Sequence, residues 1–585
     1  MLVHNSHLPF YRTPNDSVPC GTSVTFRFVS DEAEDVKLRL WNGREALLPM
    51  RFDGVMTYSL SCLMPETPCV MWYDFLVQTA SGEISYGNAA DELGGEGTVQ
   101  GYDRHSFQIT VYAKDYIVPD YMHAASIYQI FPDRFFKAPT KAVCRRKDRY
   151  THQAWDEIPL IIPDPALGGD TNSDFFGGTL NGIREKLPYI KSLGMNTLYL
   201  NPVFQSRSNH RYDTGDYSKI DPLLGTNEDF KALCDAAKAL DMRVMLDGVF
   251  SHTGSDSLYF NKDGHYPSLG AYQSKASEYY GWYHFMDFPT VYQSWWGFQT
   301  LPEVNKANES YRRFIFNGRS GIVPLWIKRG ACGWRLDVAD ELSMDFLRHL
   351  RVSARKASPD AVILGEVWED ASNKIAYGET RCYCLGDTLD SVMNYPLREA
   401  IIAFLTFSNT ASHLARLIRH QQEVYPIPFF YALMNLIGSH DRARAINVLA
   451  GRTFENLPPE ERGGQRLTDA EYALGLNRLM KACEILCALP GAPTLFYGDE
   501  AGMQGGPDPF CRGPFPWGKE NKVLQTHVQT LLSKRNANAL FTKGKLRIRA
   551  KDDDTLEITR FFDGEDAFHE KQASASLRVI ISRKV

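Results

Sequence analysis

The stretch RVMLDGVFSH, residues 243–252, decides the fold. Val244, Met245 and Leu246 follow one another without the polar alternation of a half-exposed strand, which marks a strand buried on both faces. The run then ends abruptly in Asp247, Ser251 and His252. Seven other segments read as strands: Ser126–Phe131, Asn196–Asn201, Cys332–Val338, Val362–Val367, Ser391–Tyr395, Leu433–Ser439 and Thr494–Gly498. Helical periodicity fills the gaps, as in Leu180–Ser192, Asn227–Leu240 and Ala473–Leu489. Eight strand–helix repeats predict an α/β fold, a (β/α)8 TIM barrel. The gap 251–331 is too long for a loop and predicts an inserted subdomain, rich in rings such as Tyr279, Tyr283, Trp295 and Trp296.

Outward from the barrel, residues 1–118 alternate with period two in Val24–Val29, Val36–Trp41, Met71–Val77 and Ser106–Tyr112, an N-terminal β-sandwich. The barrel is expected over 119–505 and a small all-β domain over 506–585, where Lys545–Ala550, Thr555–Phe562 and Ser576–Ser582 read as strands. Hydrophobic residues make up 44% and charged residues 23% of the 585, which fits a folded chain and excludes a disordered linker or a coiled-coil rod. The net charge of −6 provides no basic field for nucleic acid or an anionic membrane. No apolar run reaches the length of about 18 residues that spans a bilayer. The opening MLVHNSHLPF lacks the pattern of a secretory signal. Eleven cysteines with no C-x-x-C pair read as buried thiols in a reducing, cytoplasmic setting.

In a barrel the working side chains sit at the C-terminal ends of strands. Those ends carry Asp247 and His252 (third strand), Arg335 and Asp337 (fourth), Glu366 (fifth), and His440 and Asp441 (seventh). Arg335 and Asp337 are two apart on a strand and share a face. An arginine beside a carboxylate lowers its pKa and favours a nucleophile, while a second acid can keep its proton and donate it. That division of labour is what glycoside cleavage needs. Any one of these residues alone would pass for a helix cap or a structural histidine; their convergence on one barrel mouth carries the reading.

The segments DGVFSH (247–252), GWRLDVADE (333–341), GEVWED (365–370) and GSHD (438–441) resemble, in order, the conserved regions of the α-amylase superfamily, glycoside hydrolase family 13. IYQIFPDRF (127–135), SNHRYDTGDY (208–217), LPEVN (301–305) and GAPTLFYGDEAGM (491–503) support it and look most like the cyclomaltodextrinase, neopullulanase and maltogenic amylase group. The resemblance implies that Asp337 is the nucleophile, Glu366 the general acid/base and Asp441 the third carboxylate. It implies that Arg335 holds Asp337 ionised, that His252 and His440 bond the sugar, and that Tyr212 stacks on it; Asp247 is read with these as a substrate-binding residue, the plainer structural reading being that it orients Arg335. The expected activity is retaining hydrolysis of α-1,4 bonds in maltooligosaccharides, starch, cyclodextrins or pullulan, with carboxyls about 5–5.5 Å apart. Transglycosylation on the same scaffold is the alternative, and a non-catalytic carbohydrate-binding or scaffold protein a third. In the group the N-terminal module packs on a second subunit. A homodimer through it is favoured here over starch binding by Trp41 or Trp72.

Departures from the pattern bear on metal. Ser251 stands where many relatives have Asn, and Thr179 where many have Asp. The loop after Phe135 runs through Lys137 and Thr140 to Arg145, Arg146 and Lys147, too cationic for calcium, although Asn172 and Asp174 remain. The N-terminal calcium site is therefore expected to be degraded and no cofactor required. Asp340 replaces an Asn of the group on the acceptor side.

Overall fold

A computed structural model describes residues 1–139, 149–161, 172–318 and 320–584. Eight short parallel strands form one sheet: Ile127–Ile130 (β1), Thr197–Leu200 (β2), Arg243–Gly248 (β3), Gly333–Leu336 (β4), Val362–Gly365 (β5), Ser391–Val392 (β6), Met434–Leu436 (β7) and Ala492–Phe496 (β8). They pair in the order β6-β5-β4-β3-β2-β1-β8-β7, and a parallel bridge from Met393 to Met434 closes the ring. All eight are the strands read from the sequence, and every residue of β4, β5 and β8 is buried, as expected for strands covered on both faces.

Helices surround the strands. Asn227–Ala239 starts at a Thr226 capping box with Asp229, and Asp469–Ala488 at one formed by Thr468 with Glu471. The helix expected over 180–192 is two, Leu180–Glu185 and Leu187–Ser192. Pro188 falls in the first turn of the second, where its missing N–H is tolerated, whereas inside one continuous helix it would remove a bond. Helices Glu309–Phe316 and Ile322–Lys328 pack with Met344–Ala357 in the outer ring, so the irregular part ends near residue 308. The three-stranded C-terminal sheet starts at Lys545, where its first strand was read from the sequence. Before it, helix Lys522–Asn536 buries Leu524, Val528 and Leu532 against the barrel layer.

The N-terminal module is a sandwich of antiparallel sheets around Phe26, Phe28, Tyr73, Phe75 and Phe107. Trp41 and Trp72 are half-buried and stack on each other, centroids 6.1 Å apart. The module is bound to the barrel by side chains. Gln108 donates from Nε2 to Ser372 Oγ at 2.9 Å and accepts from Asn373 Nδ2 at 2.5 Å. Buried Glu423 on helix Ala411–Val424 pairs with Arg12 at 3.0 Å and His7 at 2.9 Å. Among the described residues, no helix is long and apolar enough to cross a membrane.

Candidate active site

The eight strand ends open into a cavity of about 830 Å3, and Asp337, Glu366, Asp441, His252, His440 and Tyr212 all line it. Arg335 lies beneath, fully buried, and organises the acids. Its Nη1 donates to Asp247 at 2.9 and 3.1 Å and to Asp337 at 3.0 Å, while Nη2 meets Glu366 at 2.8 Å. Asp337 and Glu366 thus rest on neighbouring nitrogens of one guanidinium, a fork that a lysine could not reproduce. Asp247 orients that arginine, and Tyr199 and Tyr212 donate to its Oδ2 at 2.6 and 3.1 Å.

Local backbone shape helps. Val338, directly after Asp337, has φ of +41°, a left-handed conformation that is costly for a β-branched residue. The turn aims its N–H back at Glu366, to which it donates at 2.8 Å. Trp368 donates to the other Glu366 oxygen at 3.1 Å and stacks on Tyr395 with centroids 4.0 Å apart, fixing the end of β5.

On the opposite wall, His440 lies parallel to Tyr212 at 5.4 Å and contacts its hydroxyl at 2.5 Å. Gln129 Nε2 donates to His440 Nδ1 at 2.8 Å, so with the amide oriented this way the neutral imidazole carries its proton on Nε2, 3.2 Å from Asp441. Burial, then Arg512 and Arg335, holds His440 well below the usual histidine range. His252 is also buried, which lowers it to about 3. Its Nδ1 meets Ser251, and its Nε2 finds no hydrogen-bond partner among the described residues, leaving a polar atom in the cavity wall for a ligand to satisfy.

The acids are crowded. Burial pushes the Asp337 carboxyl up from its ordinary value; Arg335 opposes that shift without cancelling it, and Glu366, Asp247 and Asp441 reinforce it. Arg335 is thus the group that favours the ionised form of Asp337, in the direction read from the sequence, against burial and the neighbouring acids. Asp441, half-buried, is pushed up to about 7, first by loss of water and then by Glu366. Crowding of this kind disfavours ionising every acid at once, which suits a site that needs both a carboxylate and a proton donor.

The residues singled out from the sequence are thus brought together. The sequence reading missed Tyr199, Gln129 and Arg512. Arg512 donates to the His440 carbonyl at 2.9 Å and pairs with Asp441 at 3.6 Å and Asp508 at 3.0 Å. It belongs to a loop after β8 with no periodic signal. Tyr199 and Gln129 sit within buried strands, where neighbouring apolar residues give no sign of a polar partner.

Thr179 and Asp174, at the positions where the resemblance would place calcium ligands, both bond protein groups. The Thr179 hydroxyl caps its helix at Gly182 N and donates to the Ala138 carbonyl, both at 3.0 Å. The Asp174 carboxylate accepts from Asn209 at 2.8 Å and pairs with His152 at 3.0 Å and Arg134 at 3.4 Å. An arginine and an imidazole already bonded to that acid do not fit a divalent ion that wants several free oxygens. Thr140, Arg145, Arg146 and Lys147 lie outside the described residues.

Barrel, inserted subdomain and a carboxylate cluster on one arginine define the class: a (β/α)8 protein with an acid-based site at the strand ends. The family pattern described as "Alpha amylase, catalytic domain" matches residues 129–547, and the chain belongs to that family. Among relatives, an amylopullulanase of Thermoanaerobacterium saccharolyticum is 36% identical over 633 aligned residues, covering 100% of this chain and 48% of that protein. A cyclomaltodextrinase of Geobacillus thermopakistaniensis is 32% identical over 453 residues, 75% of this chain and 67% of the relative. In structure, the chain is similar to the cyclic α-maltosyl-(1→6)-maltose hydrolase of Arthrobacter globiformis, with TM-score 0.64 and 30% identity over 77% of this chain and 90% of the other. The chain spans less than half the length of the amylopullulanases it matches.

Proposed function

We propose that this chain is a retaining α-glucan hydrolase that cleaves α-1,4-glucosidic bonds of maltooligosaccharides, starch, cyclodextrins or pullulan. The observation that carries this reading is the seating of Asp337 and Glu366 on the two terminal nitrogens of Arg335, with Asp441 in the same mouth. Asp337 attacks the anomeric carbon as Glu366 gives its proton to the leaving oxygen. Glu366 then takes a proton from water, which attacks the glycosyl-enzyme and restores the α configuration. An acceptor sugar in place of that water gives transfer product instead. Asp441 and the face of the site carrying His440 bind hydroxyls of the reacting sugar, Tyr212 underlies it, and His252 Nε2 accepts or donates one further bond.

The chemistry runs on side chains alone, and we assign no calcium to it. The ten described cysteines are free, which supports a reducing, cytoplasmic location. A homodimer through the N-terminal module is supported by exposed Leu47, Phe52, Leu63 and Val99 on its surface, and light scattering of the purified protein tests it. The hydrolase reading is tested by chromatography of products from starch, β-cyclodextrin and pullulan side by side. Cleavage of cyclodextrin and pullulan to maltose and panose supports a cyclomaltodextrinase-like cleft. Fast starch depolymerisation with cyclodextrin untouched supports an open amylase-like cleft, and no cleavage of any of the three refutes the proposal.

A further inference from the structure

The seam between the N-terminal module and the barrel encloses a cavity of about 210 Å3. At about 30 Å3 of liquid per water molecule that is the space of roughly seven waters, enough for one sugar ring and too little for a chain. It shares no lining residue with the catalytic cavity. Its floor is one face of helix Ala411–Val424, where Leu417, His420, Gln421 and Val424 follow helical spacing. Trp72 and Asn88 close it from the module, and Asp370 and Asn373, on the segment that follows β5, close it from the barrel.

The gap is not slack packing. Beside it the seam is tight: Gly94 has φ of +67°, and a Cβ there would collide with Glu423 Oε2. The charges of the wall are already matched. Of its four carboxylates, Asp91 pairs with Arg416 at 2.7 Å, Glu92 with His105 at 2.8 Å, Asp370 with His420 at 3.1 Å and Glu423 with Arg12 at 3.0 Å. An ion entering would add a charge with no free partner, so the wall suits a neutral ligand. Two hydrogen-bonding groups stay open. His420 Nε2 is taken by Asp370, while its buried Nδ1 has no hydrogen-bond partner among the described residues. Asn88, 4% exposed, accepts at Oδ1 from Ala89 N at 2.9 Å, and its Nδ2 finds no protein acceptor among the described residues. A buried nitrogen of this kind is costly until something bonds it.

A hydroxyl donates or accepts as required, so it satisfies His420 Nδ1 whichever way the imidazole is protonated, and it accepts from Asn88. A flat aromatic ring beside such groups suits a pyranose, which is polar at its rim and apolar on its faces, and here that ring is Trp72. We propose that the seam cavity is a binding site for one free monosaccharide, separate from the catalytic mouth and independent of what the mouth cleaves. The sugar bonds His420 Nδ1 and Asn88 and packs on Trp72. So placed, it joins the module to helix Ala411–Val424 and to the segment after β5, alongside the bonds made by Gln108. Docking of the module is then strengthened by the sugar.

Hydrogen–deuterium exchange of the full chain locates the binding, with glucose as the probe. One sugar ring at the efficiency of drug-sized ligands gains a Kd on the order of a few millimolar. At about ten times that concentration, exchange that requires the seam to open slows about tenfold, by one plus the ratio of ligand concentration to Kd. The slowing is expected over residues 88–94 and 417–424. Leu417→Trp, which fills the cavity, cuts it to less than about twofold, while cleavage of amylose stays within about twofold of the unsubstituted protein. Asn88→Leu, on the other wall, has the same effect and decides the matter if the first variant misfolds. Gluconate, an anion of similar size, slows exchange less than about twofold. Unchanged exchange over 88–94 and 417–424 in glucose overturns the proposal, as does slowing that persists in both variants. Equal protection by gluconate overturns the choice of a neutral sugar. A chain that cleaves no amylose yet shows the seam protection loses the hydrolase reading and keeps this one.

Discussion

Arg335→Lys is the most informative single change in the site. The guanidinium makes three kinds of contact, to Asp247 at 2.9 Å, Asp337 at 3.0 Å and Glu366 at 2.8 Å, from two nitrogens. A lysine keeps the charge but offers one compact ammonium, so it cannot serve Asp337 and Glu366 from separate donors. At least one charge-assisted bond is lost, worth about 1.5–3 kcal/mol, and a second is bent. If about 3 kcal/mol of that is felt in the transition state, kcat falls roughly 100-fold. Arg335 is also the chief force opposing the upward shift of Asp337, so weakening it raises that carboxyl further. The nucleophile works as a carboxylate, so the acid limb of the kcat profile moves to higher pH. The assay is release of p-nitrophenol from an aryl α-maltoside between pH 4 and 9, with circular dichroism confirming the fold. A variant within threefold of the unsubstituted protein, with its acid limb unmoved, refutes the shared-guanidinium argument and reduces Arg335 to a strut for Asp247.

Asp441→Asn abolishes most activity and also stabilises the fold at alkaline pH. A carboxyl raised to about 7 in the folded state binds its proton more tightly there than when unfolded, so its contribution is present below about pH 4 and lost as pH rises through 7. Thermal melts therefore show the variant gaining on the parent at pH 8 and matching it near pH 4; an equal difference at both refutes the assignment. Glu423 behaves oppositely, because Arg12 and His7 draw its carboxyl below the ordinary value despite burial. Stability from that pair is present above about pH 4.5 and lost as pH falls, and Glu423→Gln costs about 3–5 kcal/mol, read by denaturant unfolding and by earlier proteolysis between module and barrel. His252→Ala lowers kcat/KM about tenfold or more while altering stability little, since its Nε2 satisfies no protein group; a large loss of stability with normal kinetics argues against a ligand role. Dialysis against a chelator leaves activity and melting temperature unchanged, and a fall in either restores the calcium site.

The barrel was legible because eight segments, including buried β4, β5 and β8, are short and apolar without alternation, and because their ends carry the polar residues. Boundaries were less legible. Glu309–Phe316 and Ile322–Lys328 have the same local pattern whether they belong to an insertion or to the outer ring, and only their packing on Met344–Ala357 decides. At the site, residue identities were legible and electrostatics were not. That Arg335 would bond Asp337 follows from spacing two on a strand, but that burial would outweigh it depends on the whole closed mouth. Arg512 was invisible because a buried arginine in an irregular loop announces its partners only in three dimensions.

The bonds from Gln108 to Ser372 and Asn373 give the N-terminal module a second meaning. Residue 118 divides the chain as a sequence, but it does not divide it mechanically. Gln108 grips Ser372 and Asn373, six and seven residues after Glu366, and Asp370 just before them meets His420 at 3.1 Å, one turn from Glu423, itself tied to the module through Arg12. The proton donor is therefore braced from outside the barrel that carries it. A recombinant barrel cut free near residue 118 would lose that buttress. Modules swapped between relatives would have to bring their own, so sandwich and barrel are constrained to change together.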